Sequence, residues 1–161
     1  MPAPPPDDQA ELPGRLYDVH GPGLYRYALM LLTYPTAAED AVQDAFAGLL
    51  AARIAPEHVE RYLRTSVRNA CFTWLRRRRR WLPREQPLLE AAGPAQAARD
   101  DERLAIERAL RVLPPEQREV VYLHVFEGRT FREIADLSGT SINTAASRYR
   151  YALARLRETL S

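Results

Sequence analysis

The chain has 161 residues, a formal net charge of +2 and 46% apolar residues, room for one domain or two small ones with a buried core. No apolar run approaches the length a bilayer demands, and the start (Pro4, Pro5, Pro6, Asp7, Asp8) is unlike a signal peptide. A single cysteine, Cys71, excludes an internal disulfide and a cysteine cluster for zinc, so a reduced, cytoplasmic setting is expected, with no membrane role.

Apolar positions recur with a period near 3.6 and show little alternation, which predicts helices throughout. Residues 1–11 read as a disordered tail. Residues 12–34 read as helical, interrupted near Gly21-Pro22-Gly23. Thr36-x-x-Glu39 has the form of a capping box that opens a helix to about Ala52. Another helix is expected from about Glu57 to Arg80. Residues 82–101 are rich in Pro, Ala and charge without a sustained period and read as a flexible linker. Such a linker spans about 25 Å as a coil and about 70 Å when stretched.

The C-terminal part opens near Glu102, with a helix that ends before Pro114-Pro115. Pro115 suits the first turn of the next helix, which runs to about Gly128. Thr130-x-x-Glu133 is a second capping box, Gly139 fits a left-handed stop, and Ser141 can cap a last helix to about Leu160. The expected fold is all-α: two small helical domains, residues 12–81 and 102–161, joined by the linker.

The charge is segregated. Residues 36–60 carry Glu39, Asp40, Asp44, Glu57 and Glu60 against Arg53, a net of −4, and residues 61–80 carry eight arginines and no acid. The sequence holds no lysine. An acidic patch beside a basic one suggests two partners, a basic protein surface and a nucleic acid.

On the acidic helix Ala41, Val42, Ala45, Phe46, Leu49 and Leu50 form an apolar face opposite Asp40, Gln43, Asp44 and Ala47. On the basic helix Leu63, Val67, Ala70, Cys71 and Trp74 oppose Arg61, Arg64, Arg68 and Arg79, with Thr65, Phe72 and Arg76 among the latter. Arginine neutralises phosphates and Phe72 offers a stacking face, as single-strand binders use. The capped short helix, the turn at Gly139 and the longer last helix match helix-turn-helix. Ala145, Tyr149, Ala152, Leu153, Leu156 and Leu160 share that last helix's apolar side. The opposite side offers Asn143, Ser147, Arg150 and Tyr151, flanked by Thr144 and Arg148, small polar and cationic groups suited to a major groove.

No catalytic grouping stands out. His20, His58 and His124 are scattered, none at metal-ligand spacing, and there is no phosphate loop or nucleophile elbow. Neither a metal nor a cofactor is expected, and the chain reads as a non-catalytic protein. A stand-alone helix-turn-helix regulator and a helical adaptor are the competing readings.

Taken together, LYRYALMLLTYPTAAEDAVQDAFAGLL (24–50), RYLRTSVRNACFTWLRRRRR (61–80) and the stretch 109–157, with LPPEQREV and FREIADLSG…NTAASR, resemble the extracytoplasmic-function group of the sigma-70 family. The resemblance implies a sigma factor that binds core RNA polymerase and directs promoter recognition, DNA opening and initiation. It implies clamp docking through Asp40, Gln43, Asp44 and Phe46, which match the family's DxVQxxF helix. Arg64, Arg68, Asn69 and the run Arg76, Arg77, Arg78, Arg79, Arg80 match where the family binds and opens the −10 element as single strand, alongside Arg61 and Phe72. Thr144, Ser147 and Arg148 match its T-x-x-S-R pattern for the −35 duplex, beside Asn143, Arg150 and Tyr151. A contact to the polymerase flap, an anti-sigma partner and a cytoplasmic, nucleoid-associated location are implied in the same way. Thr73, Ile142, Ala145, Ala146 and Tyr151 depart from the family pattern, four of them in the −35 helix.

Overall fold

A computed structural model describes residues 6–81 and 100–160. Its elements are α1 (Pro6–Leu32), α2 (Pro35–Ala52), a 3-10 turn (Pro56–His58), α3 (Val59–Trp81), α4 (Asp100–Val112), α5 (Pro115–Val121), a π turn (Tyr122–Phe126), α6 (Phe131–Ser138) and α7 (Ile142–Leu160). Among the described residues there is no strand. Two compact units, Met1–Gln86 and Pro87–Ser161, divide the chain. Of the expected linker, residues 82–99 lie outside the described residues, whereas Asp100 and Asp101 already belong to α4.

In the first unit α1, α2 and α3 pack on one another. Two expectations for α1 are corrected. The helix starts at Pro6, inside the stretch read as a tail, and proline is pre-organised for a first helical position. It also runs unbroken through Pro13 and Pro22, so Gly21-Pro22-Gly23 does not interrupt it. An interior proline costs about 3 kcal/mol. Beyond Pro22, Leu24, Tyr27, Ala28, Leu31 and Leu32 are all buried, each large one contributing about 1.5–3 kcal/mol. Burial therefore outweighs the local break.

Sequence also misplaces the start of α2. Pro35 takes the first helical position behind an extended Tyr34, so Thr36 lies inside the helix, and the N-cap makes no side-chain hydrogen bond. Between α1 and α2, Thr33 adopts a left-handed φ of 62°, an unusual conformation for a β-branched residue. The unit's core joins the α1 residues above to Ala38, Val42, Ala45, Phe46 and Leu49 of α2 and Leu63, Val67 and Cys71 of α3.

The second unit follows its local signals closely. Pro115 opens α5. Thr130 and Glu133 form the reciprocal capping box, Gly139 closes α6 with φ 66°, and the Ser141 hydroxyl accepts the Thr144 amide at 3.0 Å. The core comprises Leu110 and Leu113, Val120, Val121 and Leu123, Ile134 and Ala135, and Ala145 and Ala152. The helix expected to end near Gly128 instead widens into the π turn, which carries Val125 and Phe126 outward.

A buried arginine fixes α4 to α5. Arg118 donates through Nε to the Leu110 carbonyl at 3.0 Å and through Nη2 to the carbonyls of Leu113 at 3.0 Å and Arg111 at 3.3 Å. It thereby satisfies acceptors that every helix end leaves open. Burial first, then the nearby Arg111 charge, lowers its pKa from the ordinary arginine range to about 10, with Glu116 opposing, so it stays charged at neutral pH.

Candidate nucleic-acid and polymerase interface

Asp40, Gln43 and Asp44 stand exposed on one side of α2, with Glu39 and Ala47 beside them. Phe46 does not join them. It is buried, its ring 5.1 Å from that of Tyr17 on α1, so its part is to brace the helix from below. Leu50 moves the other way: placed on the apolar face by sequence, it is 59% exposed and extends the acidic surface with an apolar edge.

On α3 the arginines separate into two populations. Arg61, Arg76, Arg77, Arg79 and Arg80 are exposed, and Arg68 is half-buried with its guanidinium 4.4 Å over the Phe72 ring. Arg61, Arg68, Phe72, Arg76 and Arg79 fall on one helical stripe, so cation and ring alternate along a single edge. Arg64 is corrected. It is buried at the seam with α1, stacked 4.7 Å over Tyr27, and presents no exposed cation. Its position borders the apolar stripe, and Tyr27 draws it inward.

Beside the stripe lies an open groove of about 530 Å³, lined by Ile54, His58, Arg61, Tyr62, Thr65, Ser66 and Asn69. It brings together Arg61 and the exposed Asn69, two residues singled out from sequence, with a tyrosine ring that was not. Gly48 of α2 makes this possible. A Cβ there would stand 2.8 Å from the Tyr62 hydroxyl, so only glycine lets Tyr62 lie across α2 in this position.

The second unit presents α6 and α7 as the expected helix-turn-helix. Asn143, Arg150 and Tyr151 are exposed, the last at 68%, whereas Thr144, Ser147 and Arg148 are half-buried. Two polar groups are already oriented: Arg150 Nη2 donates to Ser147 Oγ at 3.1 Å, and the Thr144 and Ser141 hydroxyls pair at 2.9 Å. An open depression of about 350 Å³ runs between His124 and Phe131 on one side and Asn143, Ala146, Ser147 and Arg150 on the other. The small Ala146, a departure from the family pattern, helps leave this depression open. His124 is held structurally. Its Nδ1 pairs with the Arg129 carbonyl at 2.8 Å, and its ring stacks on Phe131 and meets Tyr149 edge-on. On the apolar side Leu160 is 59% exposed and leaves the core that sequence assigned it to.

The Glu133 carboxyl titrates below the usual carboxylate value. Hydrogen bonds from the Thr130 amide and hydroxyl hold it below its ordinary 4.5. No cluster of His, Cys, Asp or Glu that could hold a metal occurs among the described residues. Among them no helix is long and apolar enough to cross a membrane.

Comparisons with known proteins agree with this geometry. Residues 16–81 match the family model for sigma-70 region 2, and residues 103–156 match that for sigma-70 region 4. The chain is 32% identical over 155 residues to the RNA polymerase sigma factor CarQ of Myxococcus xanthus, covering 90% of this chain and 87% of that one. It is 33% identical over 164 residues to the ECF RNA polymerase sigma factor SigL of Mycobacterium tuberculosis, covering 94% and 90%. Among solved structures it resembles the sigma factor RpoE of Bartonella quintana, crystallised with the anti-sigma factor NepR. The TM-score is 0.75 at 27% identity, over 93% of this chain and 97% of that one.

Proposed function

Since the chain belongs to the extracytoplasmic-function group of the sigma-70 family, we propose a division of its surfaces between core RNA polymerase and promoter DNA. As a sigma factor it serves transcription initiation by giving the polymerase its promoter. In this reading Asp40, Gln43 and Asp44 dock on the polymerase clamp, with Leu50 as an apolar edge and Phe46 as the brace behind them. Carboxylates on a rim steer a basic partner and set register more than they add affinity.

The α3 stripe holds the opened −10 strand. Arg61, Arg68, Arg76, Arg77, Arg79 and Arg80 neutralise phosphates, and Phe72, backed by Arg68, offers a stacking face. The groove beside it suits an unstacked base, with the Tyr62 ring for its face and the Asn69 amide for its edge. On α7, Asn143, Ser147, Arg150 and Tyr151 enter the −35 major groove, with Thr144 and Arg148 at the sides. Val125 and Phe126, pushed out by the π turn, are the apolar pair suited to the polymerase flap. An anti-sigma protein, as crystallised with the Bartonella relative, would act by covering such faces. The chain carries out no chemistry and works in the cytoplasm at the nucleoid.

The observation that carries this reading is the placement of exposed acids on α2 and exposed arginines on α3 within one three-helix unit. A stand-alone helix-turn-helix regulator accounts for α6 and α7 but leaves that unit without a purpose. The test adds the purified chain to sigma-free core polymerase on fragmented genomic DNA. Discrete transcripts are expected, absent with core alone. Asp44→Arg should weaken core binding about tenfold while leaving the chain's own DNA binding intact. Unchanged core affinity would remove the docking role from α2.

A further inference from the structure

Five consecutive arginines, Arg76 to Arg80, approach the end of α3, and four of them are exposed. Arg78 is not. Its guanidinium lies 4.0 Å over the Tyr34 ring and 5.0 Å from the Trp74 ring centroid, and Nη2 donates a hydrogen bond to the Tyr34 hydroxyl. The two rings meet each other at 5.2 Å. Arg78 is thus seated between aromatic faces and turned away from the stripe of Arg61, Arg68, Phe72, Arg76 and Arg79.

Tyr34 does not belong to α3. It is the N-cap of α2, placed by the left-handed Thr33 before it and by Pro35 at the first helical position. The seat therefore ties the last turns of the basic helix to the root of the acidic one, 44 residues away in sequence. Neighbouring like charges repel, and helix ends fray. An unanchored run of five arginines would lose the helical order that aligns Arg76 and Arg79 with Arg61 and Arg68.

We propose that Arg78 is a positioning residue: its seat on Tyr34 and Trp74 holds the end of α3 so that Arg76, Arg77, Arg79 and Arg80 meet DNA as an ordered array. The proposal rests on the reading that the α3 stripe binds promoter DNA. It goes beyond that reading in giving Arg78, which stands outside the DNA contact set, a positioning part, and in giving Tyr34 a share in DNA affinity.

The test uses the full chain bound to core polymerase and a promoter fragment mapped by the transcription assay. Promoter affinity is measured across a salt series for Arg61→Ala, Arg79→Ala, Arg78→Ala, Tyr34→Ala and the double variant of the last two. Arg79→Ala should weaken binding and lower the slope of log affinity against log salt by about 0.7, the mark of one lost single-strand phosphate contact. Arg78→Ala and Tyr34→Ala should each weaken binding roughly three- to tenfold with the slope unchanged. The double variant should be no worse than either single one, and Tyr34→Phe should keep most of the affinity. Core affinity, read separately, should hold in all of them. If Tyr34→Ala fails to bind core, Tyr34→Leu, which keeps apolar bulk without a ring, takes its place. The proposal is overturned if Arg78→Ala lowers the slope as Arg79→Ala does while removal of the Tyr34 ring is silent, since Arg78 is then a phosphate contact. It is equally overturned if both leave affinity unchanged. Silence of Arg61→Ala and Arg79→Ala would instead sink the DNA reading of α3, and the proposal with it.

Discussion

α3 and α7, the two helices proposed to meet DNA, are built on opposite plans. Residues 61–80 of α3 carry eight arginines, and three of those, Arg64, Arg68 and Arg78, have an aromatic ring beneath the guanidinium. On α7 the cations are sparser, its first turn is capped by Ser141, and Ser147 already holds Arg150 by a hydrogen bond. A dense cationic edge grips any backbone, and its strength falls with salt. Small polar groups fixed by local hydrogen bonds grip weakly but can tell one base from another. In the proposed reading the first unit therefore holds DNA and the second reads it.

The largest effect is expected at Arg118, which belongs to the second unit alone. Arg118→Ala leaves two buried carbonyls and a part-buried one without their donor and should destabilise the second unit by about 3 kcal/mol. Hydrogen exchange should show protection lost in residues 100–160 and retained in 6–81. Loss in both would mean that the units do not fold separately. Next in size is reading itself. Asn143→Ala should cost about 2 kcal/mol of discrimination between the native and a substituted −35 site, with the salt slope nearly constant. A uniform loss on every sequence would make α7 a second holding surface.

A smaller effect is expected at the cap of α6, the helix before α7. Thr130→Ala should cost about 1 kcal/mol of stability in the second unit, measured by denaturant unfolding. The same contact has a pH signature. Glu133 titrates below its ordinary 4.5 when folded, so its contribution is complete above that value and fades as pH falls through the lowered one. Glu133→Gln, which removes the titrating group, should therefore flatten the acid limb of the stability curve, and an unchanged limb would show that the carboxylate bond does not form. Smallest in stability terms is Thr33→Gly, which relieves a left-handed β-branched residue and should raise the first unit's stability by about 1 kcal/mol or less.

How far the sequence could be read depended on how local the deciding physics was. The Thr130 capping box, the Gly139 stop and the Ser141 cap involve residues within a few positions of each other, and each was legible. Thr36-x-x-Glu39 has the same form, but Pro35 next to it claims the first helical position, so the pattern does not act as a cap. The break expected at Pro22 was overridden by burial that only the packed unit supplies. On the helical faces the centres of each stripe were legible and the borders were not. Leu50 and Arg64 sit at borders, where packing decides the side: Leu50 stays exposed and Tyr27 draws in Arg64, whereas Phe46, on the apolar face as read, is buried against Tyr17. Tyr34, Gly48 and Tyr62 carried no local signal, because each matters through a partner distant in sequence.

The arginine edge of α3 has one further consequence. A lysine edge could be weakened by acetylation, which removes the charge. Arginine offers no ε-amine to acylate, so acetylation leaves the charge of this edge untouched. The strength of such a grip falls as ions screen it, or as another molecule lies over it.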